Sequence, residues 1–587
     1  MTYRGIEPVS DCLSEPTDVT YPRDQLLFLA LGGAGEIGMN LSLYGYDGKW
    51  LMVDLGVTFA DETMPGIDLL VPDPAFIAER AEDLVGLVIT HAHEDHLGAV
   101  PWLWQELECP VWATPFAAHV LRRKLEETGL EKKVPIHIYK PGDVIDLAPF
   151  KVTPIGITHS IPESQALAIE TPAGLVMHSG DWKLDPDPVV GPESDAAQIK
   201  AFGDRGVMAL VCDSTNVFKE GDSGSEGAVR SSLEALLAGR KGKVAVTTFA
   251  SNVARLDTIA RAAAAHDRRV ALVGRSLWRI TGAARASGYL KDLPDFLTEK
   301  DAGYLPDDKV LLLCTGCQGE PRGAMGRIAE GNHPHISLGP KDTAIFSSKI
   351  IPGNERQLGR LHNQLAIAGV EVITEKDAFV HVSGHPARDE LARMYGWVRP
   401  KLAVPVHGEP RHLIEHAKLA KSLGVAETAT LRNGQMLQLG PGPVRIIDEV
   451  PSGRLAVDGQ TLIRPQGAVL TGRRRLMHNG VAFVTLIVDP AGRLIADPQL
   501  ALHGLGDDDG DEVFNAVLDA IEDAVDGLKA REAREDDAIV EAARIAIRRL
   551  AKSMFGRRPV VECHVVRLTD TEVAANLPSK RSQEIAR

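Results

Sequence analysis

The segment Thr90-His91-Ala92-His93-Glu94-Asp95-His96-Leu97-Gly98 constrains the fold more than any other stretch of this chain. It directly follows an apolar run, Leu84–Ile89, that predicts a buried β-strand. Three imidazoles and two carboxylates in six residues could not be buried without partners, because an unpaired polar group is costly in the interior. Imidazole nitrogen and carboxylate oxygen together suit zinc, with manganese as a substitute. The segment therefore predicts a metal site at the end of a strand.

The spacing within this segment divides the candidate ligands between two neighbouring positions. His91 and His93 alternate, so both side chains point to the same side if the strand geometry continues. Asp95 and His96 then turn toward a second position beside the first. Further candidates follow apolar strands or turns downstream; they are His159, Asp181 and His407. Each of these is a weak prediction alone, since a lone histidine is more often a satisfied or exposed residue.

Composition narrows the classes of protein to which the chain can belong. Its 587 residues predict roughly three or four domains. The sequence contains no apolar run long enough for a membrane-spanning helix, and Met1–Asp24 lacks the apolar region of a secretory signal. Six scattered cysteines do not make a disulfide framework, which favours a reducing, cytoplasmic location. A net charge of −16 argues against a generally basic nucleic-acid coat but not against a local basic channel.

The order of the predicted elements indicates three parts. Residues up to about 220 alternate short strands with only two predicted helices, Ala75–Glu82 and Thr114–Glu127, which favours a sheet sandwich covered by helices. The strand–helix alternation that follows favours a parallel α/β domain, with helices predicted at Ser231–Gly239, Val253–Asp267 and Gln357–Gly369. The earlier strand pattern returns at Leu402–His407, before a predicted helix at Arg411–Leu423, so the α/β domain interrupts the first part. Beyond a connector at 441–465, rich in Gly and Pro, lies a smaller α/β domain.

The ordered motifs resemble the metallo-β-lactamase superfamily, whose pattern is HxHxDH followed by His, Asp and His. The resemblance implies two ions, Zn²⁺ in the first place, with Mn²⁺ or Mg²⁺ able to support activity. Asp54 matches the superfamily's first motif aspartate, which orients ligands rather than binding metal. The implied ligands are His91, His93 and His159 for one ion, and Asp95, His96 and His407 for the other, with Asp181 bridging the two.

The long interruption resembles the β-CASP subgroup, and together with the C-terminal part it resembles the ribonuclease J family. The motifs that carry this resemblance are Phe249-Ala-Ser-Asn252, Asp213-Ser-Thr-Asn216, Pro352-Gly-Asn-Glu355, Gly556-Arg-Arg-Pro559 and His381-Val-Ser-Gly-His385. The implied fold class is α/β: a metallo-β-lactamase αββα sandwich interrupted by a β-CASP α/β domain, plus a small C-terminal α/β domain. The expected boundaries are 1–220 and 381–450 for the two parts of the sandwich, 221–380 for the β-CASP domain, 451–465 for a linker and 466–587 for the C-terminal domain.

The same resemblance implies which residues contact RNA. The backbone N–H groups of a Ser/Gly turn such as Ser383-Gly384 can hold a phosphate without a full counter-charge. His385 is the candidate for protonating the leaving oxygen or stabilising the transition state, with a purely structural role as the alternative. Asp95 is the candidate for receiving a proton from the attacking water. The implied substrate-binding residues are Ala250, Ser251, Asn252, His381, Val382, Ser383, Gly384 and His385.

As a function, the resemblance implies a metal-dependent ribonuclease that degrades single-stranded RNA from the 5′ end, prefers a 5′-monophosphate and also cuts internally. It implies roles in mRNA decay and rRNA maturation, assembly as a homodimer or homotetramer, and membership of an RNA-degrading complex as a further option. The alternatives are a DNA-acting or strictly endonucleolytic enzyme of the same fold, a small-molecule metallohydrolase, and a non-catalytic RNA-binding scaffold.

Three smaller features complete the expectations. A structural Ca²⁺ occurs in some family members, and Asp68 and Asp458 are conceivable ligands here, although nothing in their local spacing argues for it. Cys314 and Cys317 form a Cys-x-x-Cys pair without further thiolate partners nearby, which favours a structural role. The hypothetical lining residues of a basic RNA groove are Arg275, Arg322 and Arg327.

Overall fold

A computed structural model describes residues 21–320, 322–351, 353–505 and 511–569 of the chain. Residues 1–20, most of the stretch in which no secretory signal is predicted, lie outside the described residues, as does Cys12. The chain divides into two compact units. One comprises the described residues up to Thr58 together with Leu70–Arg454, and the other comprises Phe59–Leu69 together with the described residues from Leu455. Within the described ranges, the helices are too short or too polar to cross a membrane.

The N-terminal stretch is built mainly from β-strands. They are β1 (Leu26–Gly32), β2 (Leu41–Tyr46), β3 (Lys49–Val53), β4 (Thr58–Phe59), β5 (Leu69–Pro72), β6 (Leu84–Val88), β7 (Val111–Ala113), β8 (Ile136–Ile138), β9 (Ile145–Leu147), β10 (Phe150–Gly156), β11 (Gln165–Thr171), β12 (Gly174–His178) and β13 (Ala209–Asp213). The helices of this stretch are α1 (Ala75–Ala78), α2 (Glu94–Leu97), α3 (Val100–Leu107), α4 (Pro115–Thr128) and α5 (Ala196–Asp204).

The chain then forms a separate α/β domain before it returns to the first one. The strands of the inserted domain are β14 (Val244–Thr247), β15 (Arg269–Val273), β16 (Leu297–Thr298), β17 (Val310–Cys314), β18 (Thr343–Phe346) and β19 (Glu371–Ile373). Its helices are α6 (Glu226–Leu237), α7 (Val253–Ala265), α8 (Arg275–Ala286), α9 (Glu299–Ala302), α10 (Ala324–Ala329) and α11 (Glu355–Ile367). The returning chain forms α12 (Arg388–Val398), β20 (Leu402–Val406), α13 (Pro410–Ser422), β21 (Glu427–Thr428), β22 (Gln435–Gly440) and β23 (Arg445–Glu449).

Two sheets pack face to face in the first domain. One has the order β23-β22-β1-β2-β3-β6-β7-β8 and the other the order β21-β20-β13-β12-β11-β10-β9. Phe28 and Tyr44 from the first sheet share one buried cluster with Phe150 and Ile169 from the second. The opposite face of the second sheet buries Phe202 and other apolar residues of α5, α12 and α13. This confirms the predicted αββα sandwich, since apolar residues on both faces of a sheet require cover on both sides.

The inserted domain leaves and re-enters the sandwich at adjacent strands. β13, which precedes the insertion, pairs in parallel with β20, which follows it, so that Asp213 lies opposite Val406. Inside the insertion, one six-stranded sheet has the order β16-β15-β17-β14-β18-β19 with parallel pairing throughout. In a parallel sheet all carboxyl ends meet at one edge, where ligands characteristically bind. The predicted interruption by a parallel α/β domain is thereby confirmed.

The prediction of only two helices in the first part was wrong. α3 was missed because five of its eight residues are buried, Trp104 among them, so that only Gln105 and Glu106 are left to mark a polar face. α5 was missed although Asp195 caps it: the Asp195 carboxylate accepts from the Gln198 backbone N–H at 2.9 Å. The predicted helix over Ala75–Glu82 is shorter than expected, because α1 ends at Ala78 and a 3₁₀ turn follows at Ala81–Asp83.

The C-terminal unit forms its own small core. Its elements, together with the strand that leads into it, are β24 (Arg454–Asp458), β25 (Thr461–Ile463), α14 (Ala468–Asn479), β26 (Val481–Val488), β27 (Gln499–His503), α15 (Asp511–Asp526), α16 (Asp536–Phe555) and β28 (Val560–Arg567). Val484 and Leu486 of β26 pack against Ile521 of α15 and Ile547 of α16. The expected connector contains strands, because β23 belongs to the sandwich and β24 pairs with β25. The exact domain boundaries stay predictions.

Candidate metal centre

The histidine-rich segment sits at the end of β6, as the sequence predicts. The backbone N–H and the hydroxyl of Thr90 donate to the carboxylate of Asp54 at 2.7 and 2.8 Å, which fixes the chain at the point where it leaves the strand. His91 and His93 lie before the short helix α2, whereas Asp95 and His96 lie within it. The change from extended to helical backbone therefore separates the ligands into two groups.

The first group consists of three converging imidazoles. His91 Nε2 lies 3.1 Å from His93 Nδ1, and His159 Nε2 also lies 3.1 Å from His93 Nδ1. His91 and His159 are 1% and 7% exposed, so the nitrogens meet in a site that is largely closed to solvent. The structure thus brings together the three residues predicted for the first ion.

The second group combines carboxylates with imidazoles. His96 Nε2 lies 3.1 Å from Asp181 Oδ2, and His407 Nε2 lies 3.2 Å from Asp95 Oδ2. The candidate ligand atoms of these four residues all fall within 4.8 Å of one another. Asp181 also belongs to a further group with Asp213, His385 and His407, but among the described residues it shares no group with His91, His93 and His159. Its bridging of the two predicted ions stays a prediction.

Hydrogen bonds to the outer nitrogens set the tautomers of the histidines. His96 Nδ1 lies 2.7 Å from Asp54 Oδ2, and His159 Nδ1 lies 2.6 Å from the Gly384 carbonyl oxygen. Because a carboxylate or carbonyl oxygen only accepts, each Nδ1 carries the proton and donates it. The inner Nε2 of each ring then has a free lone pair, which is the form that binds a metal ion.

Threonine hydroxyls fix two further rings in the same way. The Thr90 hydroxyl donates to Asp54 and accepts from His91 Nδ1 at 3.0 Å. The Thr215 hydroxyl donates to Asp213 at 2.7 Å and accepts from His407 Nδ1 at 2.9 Å. In both cases the proton lies on the outer nitrogen, so the inner nitrogen is available to a metal ion.

Backbone strain marks two of these positions. Asp54 and His407 have φ values of 62° and 52°, in the left-handed region that non-glycine residues seldom adopt. His407 N–H donates to the Gly33 carbonyl oxygen at 2.6 Å, which holds it in this conformation. Strained residues of this kind persist where the surrounding structure over-determines them, and they cluster at functional sites.

Electrostatics differ between the two groups. Burial lowers the pKa of His91 and of His159 well below the ordinary imidazole value, and neighbouring histidines add to the effect. Burial also acts to lower the pKa of His96 and His407, but carboxylates, with Asp181 the strongest, outweigh it. The pKa of His407 consequently rises to about 10, and that of His96 rises well above its ordinary value. The second group therefore attracts positive charge strongly.

The donor atoms fit divalent metal ions in spacing and in chemistry. A tetrahedral zinc site with metal–nitrogen distances near 2.0–2.1 Å places its ligand atoms roughly 3.3 Å apart. The observed separations of 3.1 to 3.2 Å between the paired donor atoms are close to this value. The donors are imidazole nitrogens and carboxylate oxygens, the set that zinc and manganese accept. A metal ion would displace the second proton that the raised pKa values of His96 and His407 favour in its absence.

A histidine from the inserted segment completes the centre. His385 Nδ1 donates to Asp213 Oδ2 at 2.8 Å, and its ring lies 5.5 Å from that of His407 and 5.2 Å from that of His159. Burial alone would lower the pKa of His385, but the charge of Asp213 and the hydrogen bond to it raise the pKa above its ordinary value. The structure thus places His385 beside both groups of ligands.

No role was predicted from the sequence for Asp213 and Thr215, although both lie in the motif Asp213-Ser-Thr-Asn216. Asp213 is 1% exposed and holds both His385 and the Thr215 hydroxyl. The available signal was a carboxylate directly after an apolar strand, the same context as Asp54. Asn216 extends the set, because its amide donates to Ser383 Oγ at 2.6 Å and to the His385 carbonyl oxygen at 3.1 Å.

The predicted RNA-binding residues gather at the carboxyl edge of the inserted sheet. Ala250 and Ser251 are half-buried in the loop that follows β14. The side chain of Asn252 caps α7 by accepting from the Arg255 backbone N–H at 2.9 Å, and the side chain of Val382 is buried. The remaining predicted binders, all half-buried in one segment after β19, are His381, Ser383, Gly384 and His385.

The surroundings of the conceivable Ca²⁺ ligands and of the two cysteines bear on two of the smaller expectations. Asp458 accepts from Arg473 through both carboxylate oxygens, at 2.9 and 2.7 Å. Neither Asp68 nor Asp458 belongs to the metal-capable groups found among the described residues, which gives the expected Ca²⁺ no support. Cys314 and Cys317 are buried free thiols, and burial raises the pKa of both. Their predicted structural role agrees with these surroundings.

Known protein families match the chain in four consecutive stretches. The descriptions are "Metallo-beta-lactamase superfamily" for residues 35–244, "Ribonuclease J, beta-CASP domain" for 241–365, "Zn-dependent metallo-hydrolase RNA specificity domain" for 369–430, and "Ribonuclease J C-terminal domain" for 468–568. A solved structure of a protein of unknown function from Enterococcus faecalis V583 covers 70% of this chain and 100% of that chain, with a TM-score of 0.50 and 14% identity. At that identity the likeness shows the fold alone.

Curated relatives extend over nearly the whole chain. Ribonuclease J of Corynebacterium glutamicum is 36% identical over 570 residues, 95% of this chain and 79% of that protein. Ribonuclease J of Sinorhizobium meliloti is 43% identical over 551 residues, 93% of this chain and 98% of that protein. Because this chain matches almost the whole length of the Sinorhizobium meliloti protein, it belongs to the ribonuclease J family and is a metal-dependent ribonuclease.

Proposed function

We propose that the chain is a 5′→3′ exonuclease that prefers 5′-monophosphorylated single-stranded RNA and also cuts internally. One observation carries the proposal: the Gly384 carbonyl oxygen accepts from His159 Nδ1 at 2.6 Å. The proposed phosphate-binding turn of the inserted segment is thereby joined directly to a proposed metal ligand. A nucleotide held by Ser383-Gly384 would have its phosphodiester next to the metal centre.

The proposed ligand sets are those implied by the sequence. In four of the proposed ligands, His91, His96, His159 and His407, a hydrogen bond holds a proton on the outer ring nitrogen. A pair of divalent ions would supply an activated water and would neutralise charge on the phosphate during an in-line displacement. Zn²⁺ is the proposed native ion, with Mn²⁺ or Mg²⁺ supporting activity. The ligand sets are His91, His93 and His159 for one ion, and Asp95, His96 and His407 for the other, with Asp181 between them.

The remaining chemistry is proposed for residues that hold and move protons. His385 is held at Nδ1 by Asp213, which turns its Nε2 side toward the space between the ligand groups, where a leaving oxygen can be protonated. Asp95, whose side chain is 30% exposed, is the more accessible carboxylate and would receive the proton of the attacking water. His385 would thus act on the leaving oxygen and Asp95 on the attacking water.

The preference for a 5′-monophosphate is supported by charge around His381. Burial lowers the pKa of His381 well below its ordinary value, and the positive charges of Arg255, Lys349, Lys183 and Lys219 lower it further. Arg255 and Lys183 are paired with Glu226 and Asp185, so Lys349 and Lys219 are the cations left to attract a terminal phosphate at this end of the segment.

The proposed cellular role is mRNA decay and rRNA maturation in the cytoplasm, by a homodimer or homotetramer. Assembly is supported by the outer face of the C-terminal sheet. Phe483 of β26 and Val566 of β28 are 46% and 43% exposed on the face opposite the small core. Apolar side chains on an unpacked sheet face are typical of a surface that contacts another subunit.

The test follows cleavage of RNAs that differ only in having a 5′-monophosphate or a 5′-triphosphate, with added Mn²⁺ or Mg²⁺. We expect mononucleotides to appear from the monophosphorylated RNA first, and the His91→Ala/His93→Ala variant to release none. Defined internal fragments from both RNAs, with no mononucleotides, would instead establish a strictly endonucleolytic enzyme. Equal cleavage of single-stranded DNA would contradict the proposed substrate.

A further inference from the structure

A wholly buried arginine lies behind the proposed RNA-binding segment. Arg255 of α7 is 0% exposed, and a buried guanidinium requires partners for its donors. Its Nε and Nη2 donate to the two carboxylate oxygens of Glu226 at 2.5 and 2.9 Å. Its Nη1 donates to the Ser347 carbonyl oxygen at 3.0 Å, to Ser347 Oγ at 2.7 Å and to the Val380 carbonyl oxygen at 3.0 Å.

These bonds connect three segments that are distant in sequence. Glu226 begins α6, Ser347 follows β18, and Val380 directly precedes the segment 381–385. The Ser347 hydroxyl itself donates to the Val380 carbonyl oxygen at 2.7 Å, and Arg255 Nη1 lies 3.5 Å from His381 Nδ1. Since the guanidinium is planar and its donors are fixed in direction, the spacing of the three segments follows from the geometry of one side chain.

A second buried ion pair links α6, the helix that Glu226 begins, to the metal centre. Lys183 Nζ lies 2.6 Å from Asp185 Oδ2, and that oxygen also accepts from the Glu226 backbone N–H at 2.9 Å. Lys183 Nζ donates in addition to the Gly224 carbonyl oxygen at 3.2 Å. Lys183 follows the proposed bridging ligand Asp181 by two residues. The chain of contacts thus runs from the metal ligands through α6 to the guanidinium.

We propose that Glu226 and Arg255 are positioning residues that set the distance between the 381–385 segment and the metal ligands. Both are buried, so they act on RNA only through the segments that they hold. Stability alone does not require them, because replacing a buried ion pair with apolar residues is often neutral or stabilising. The inference rests on the proposed function, since it takes 381–385 as the segment that holds the RNA phosphate.

The test compares three variants of the full, metal-loaded chain on 5′-monophosphorylated RNA. Arg255→Lys keeps the positive charge but cannot make the fork of bonds to Glu226, Ser347 and Val380 together. Ser347→Ala removes the bond from Arg255 to Ser347 Oγ and the bond from that hydroxyl to the Val380 carbonyl oxygen, and it leaves the ion pair in place. Arg230→Gln is the matched control, because Arg230 joins the same two helices through Asp257 at 2.7 Å, and Asp257 retains Arg261 as a partner.

For Arg255→Lys we expect KM to rise about tenfold or more while the bound metal stays at the wild-type level, since hydrogen bonds to a charged group are lost. Ser347→Ala should raise KM about threefold, which keeps the proposal testable if Arg255→Lys fails to fold. Arg230→Gln should leave KM within about twofold of the wild type, even if it lowers Tm.

The outcomes separate this inference from the function on which it rests. If Arg255→Lys and Ser347→Ala lower only Tm or the active fraction, with KM unchanged, the pair is merely structural and the inference is overturned. An equal rise in KM for Arg230→Gln would overturn it as well, because the effect would then belong to helix packing in general. If the metal-loaded wild type cleaves no RNA, the proposed function fails and the inference fails with it.

Discussion

Four histidines of the candidate centre are oriented by a partner on the outer nitrogen, and the partners come from separate parts of the chain; the four are His91, His96, His159 and His407. Asp54 orients His96, and the Gly384 carbonyl oxygen orients His159. The candidate ligands could be predicted from the sequence because their motif is local or follows apolar strands. Thr215 could not, since it lies 192 residues from His407 and meets that ring only when β13 pairs with β20.

At the residue scale, the proposed proton donor makes the first prediction. His385→Ala should lower kcat by about 10²- to 10⁴-fold, the usual contribution of a positioned acid or base. The bound metal should be unchanged, because His385 is not among the proposed ligands. Steady-state kinetics and metal analysis on the same preparation check both points, with exposed His335→Ala as the control. Loss of metal in His385→Ala would instead make His385 a ligand, together with Asp213.

At the element scale, the close approach of the 381–385 segment to the sandwich can be tested with one methyl group. A Cβ at Gly384 would lie 2.7 Å from His159 Cε1 and 2.9 Å from His159 Nδ1, so either the ring or the segment must move. Gly384→Ala should therefore weaken both RNA binding and metal binding, as measured by RNA titration and metal analysis. Unchanged metal and RNA affinities would show that the 381–385 segment can shift to accommodate the methyl group, which would contradict the prediction.

A glycine in α11 provides the matched control for this substitution. A Cβ at Gly359 would meet nothing within 4 Å, and the residue is exposed within the helix. Gly359→Ala should leave both affinities unchanged and should stabilise the protein by about 0.5–1 kcal/mol, because alanine favours helix over glycine. Thermal unfolding of the two variants side by side separates the local clash from the general effect of an added methyl group.

The packing of α13 against the second sheet predicts a pH dependence of stability. His416 accepts or donates at both ring nitrogens, with Ser214 Oγ at 2.8 Å and Tyr395 OH at 2.9 Å. Burial lowers the pKa of His416 to about 4; the charge of Asp213 opposes this effect and that of Arg388 adds to it. The folded chain therefore binds this proton less readily than the unfolded chain, whose imidazole has a pKa near 6.5.

The difference between these two pKa values of His416 gives the direction in which stability changes with pH. The stability contributed by neutral His416 is fully present above about pH 6.5 and is lost as the pH falls toward about 4. By pH 5 the free energy of unfolding has decreased by roughly 2 kcal/mol. The fall in Tm from pH 7.5 to pH 5 should consequently be larger for the wild type than for His416→Gln. Equal falls in the two proteins would contradict the predicted loss at His416.

Element boundaries show where sequence patterns reach their limit. The helices predicted at Val253–Asp267 and Arg411–Leu423 agree with α7 and α13. α13 has a polar face that marks its period, whereas ten of the thirteen residues of α7 are buried. α8, α9, α10 and α12 were missed. α8 follows Gly274, whose φ of 133° and close approach to Thr315 are fixed by tertiary packing rather than by a local capping residue.

At the scale of the whole molecule, an acidic chain must direct its basic residues to the edge where RNA enters. Arg275 is exposed directly after β15, at the carboxyl edge of the inserted sheet, whereas Arg269 is exposed at the opposite end of the same strand. Arg275→Ala should weaken RNA binding and reduce the slope of log affinity against log salt concentration by about one. Arg269→Ala should leave the RNA affinity and its salt dependence unchanged. Equal effects of the two variants would contradict the claim that RNA enters at the carboxyl edge of the inserted sheet.

The domain order could be predicted because the strand pattern of the sandwich stops before the insertion and resumes after it. The pairing of β13 with β20 explains why such an insertion is tolerated: its two ends leave adjacent parallel strands. How the segment 381–385 reaches His159 could not be predicted, since this contact joins residues that are 225 positions apart in the sequence.

The most direct test of the account is the activity of the metal-free chain as Zn²⁺ or Mn²⁺ is added back in known equivalents. The two ligand groups predict that cleavage of 5′-monophosphorylated RNA appears only as the second equivalent binds, and that two ions per chain are present at full activity. Asp54→Ala should shift the titration to about 10- to 100-fold higher metal concentration, because His96 loses its orienting partner. Full activity with a single bound ion per chain would contradict the two-metal centre.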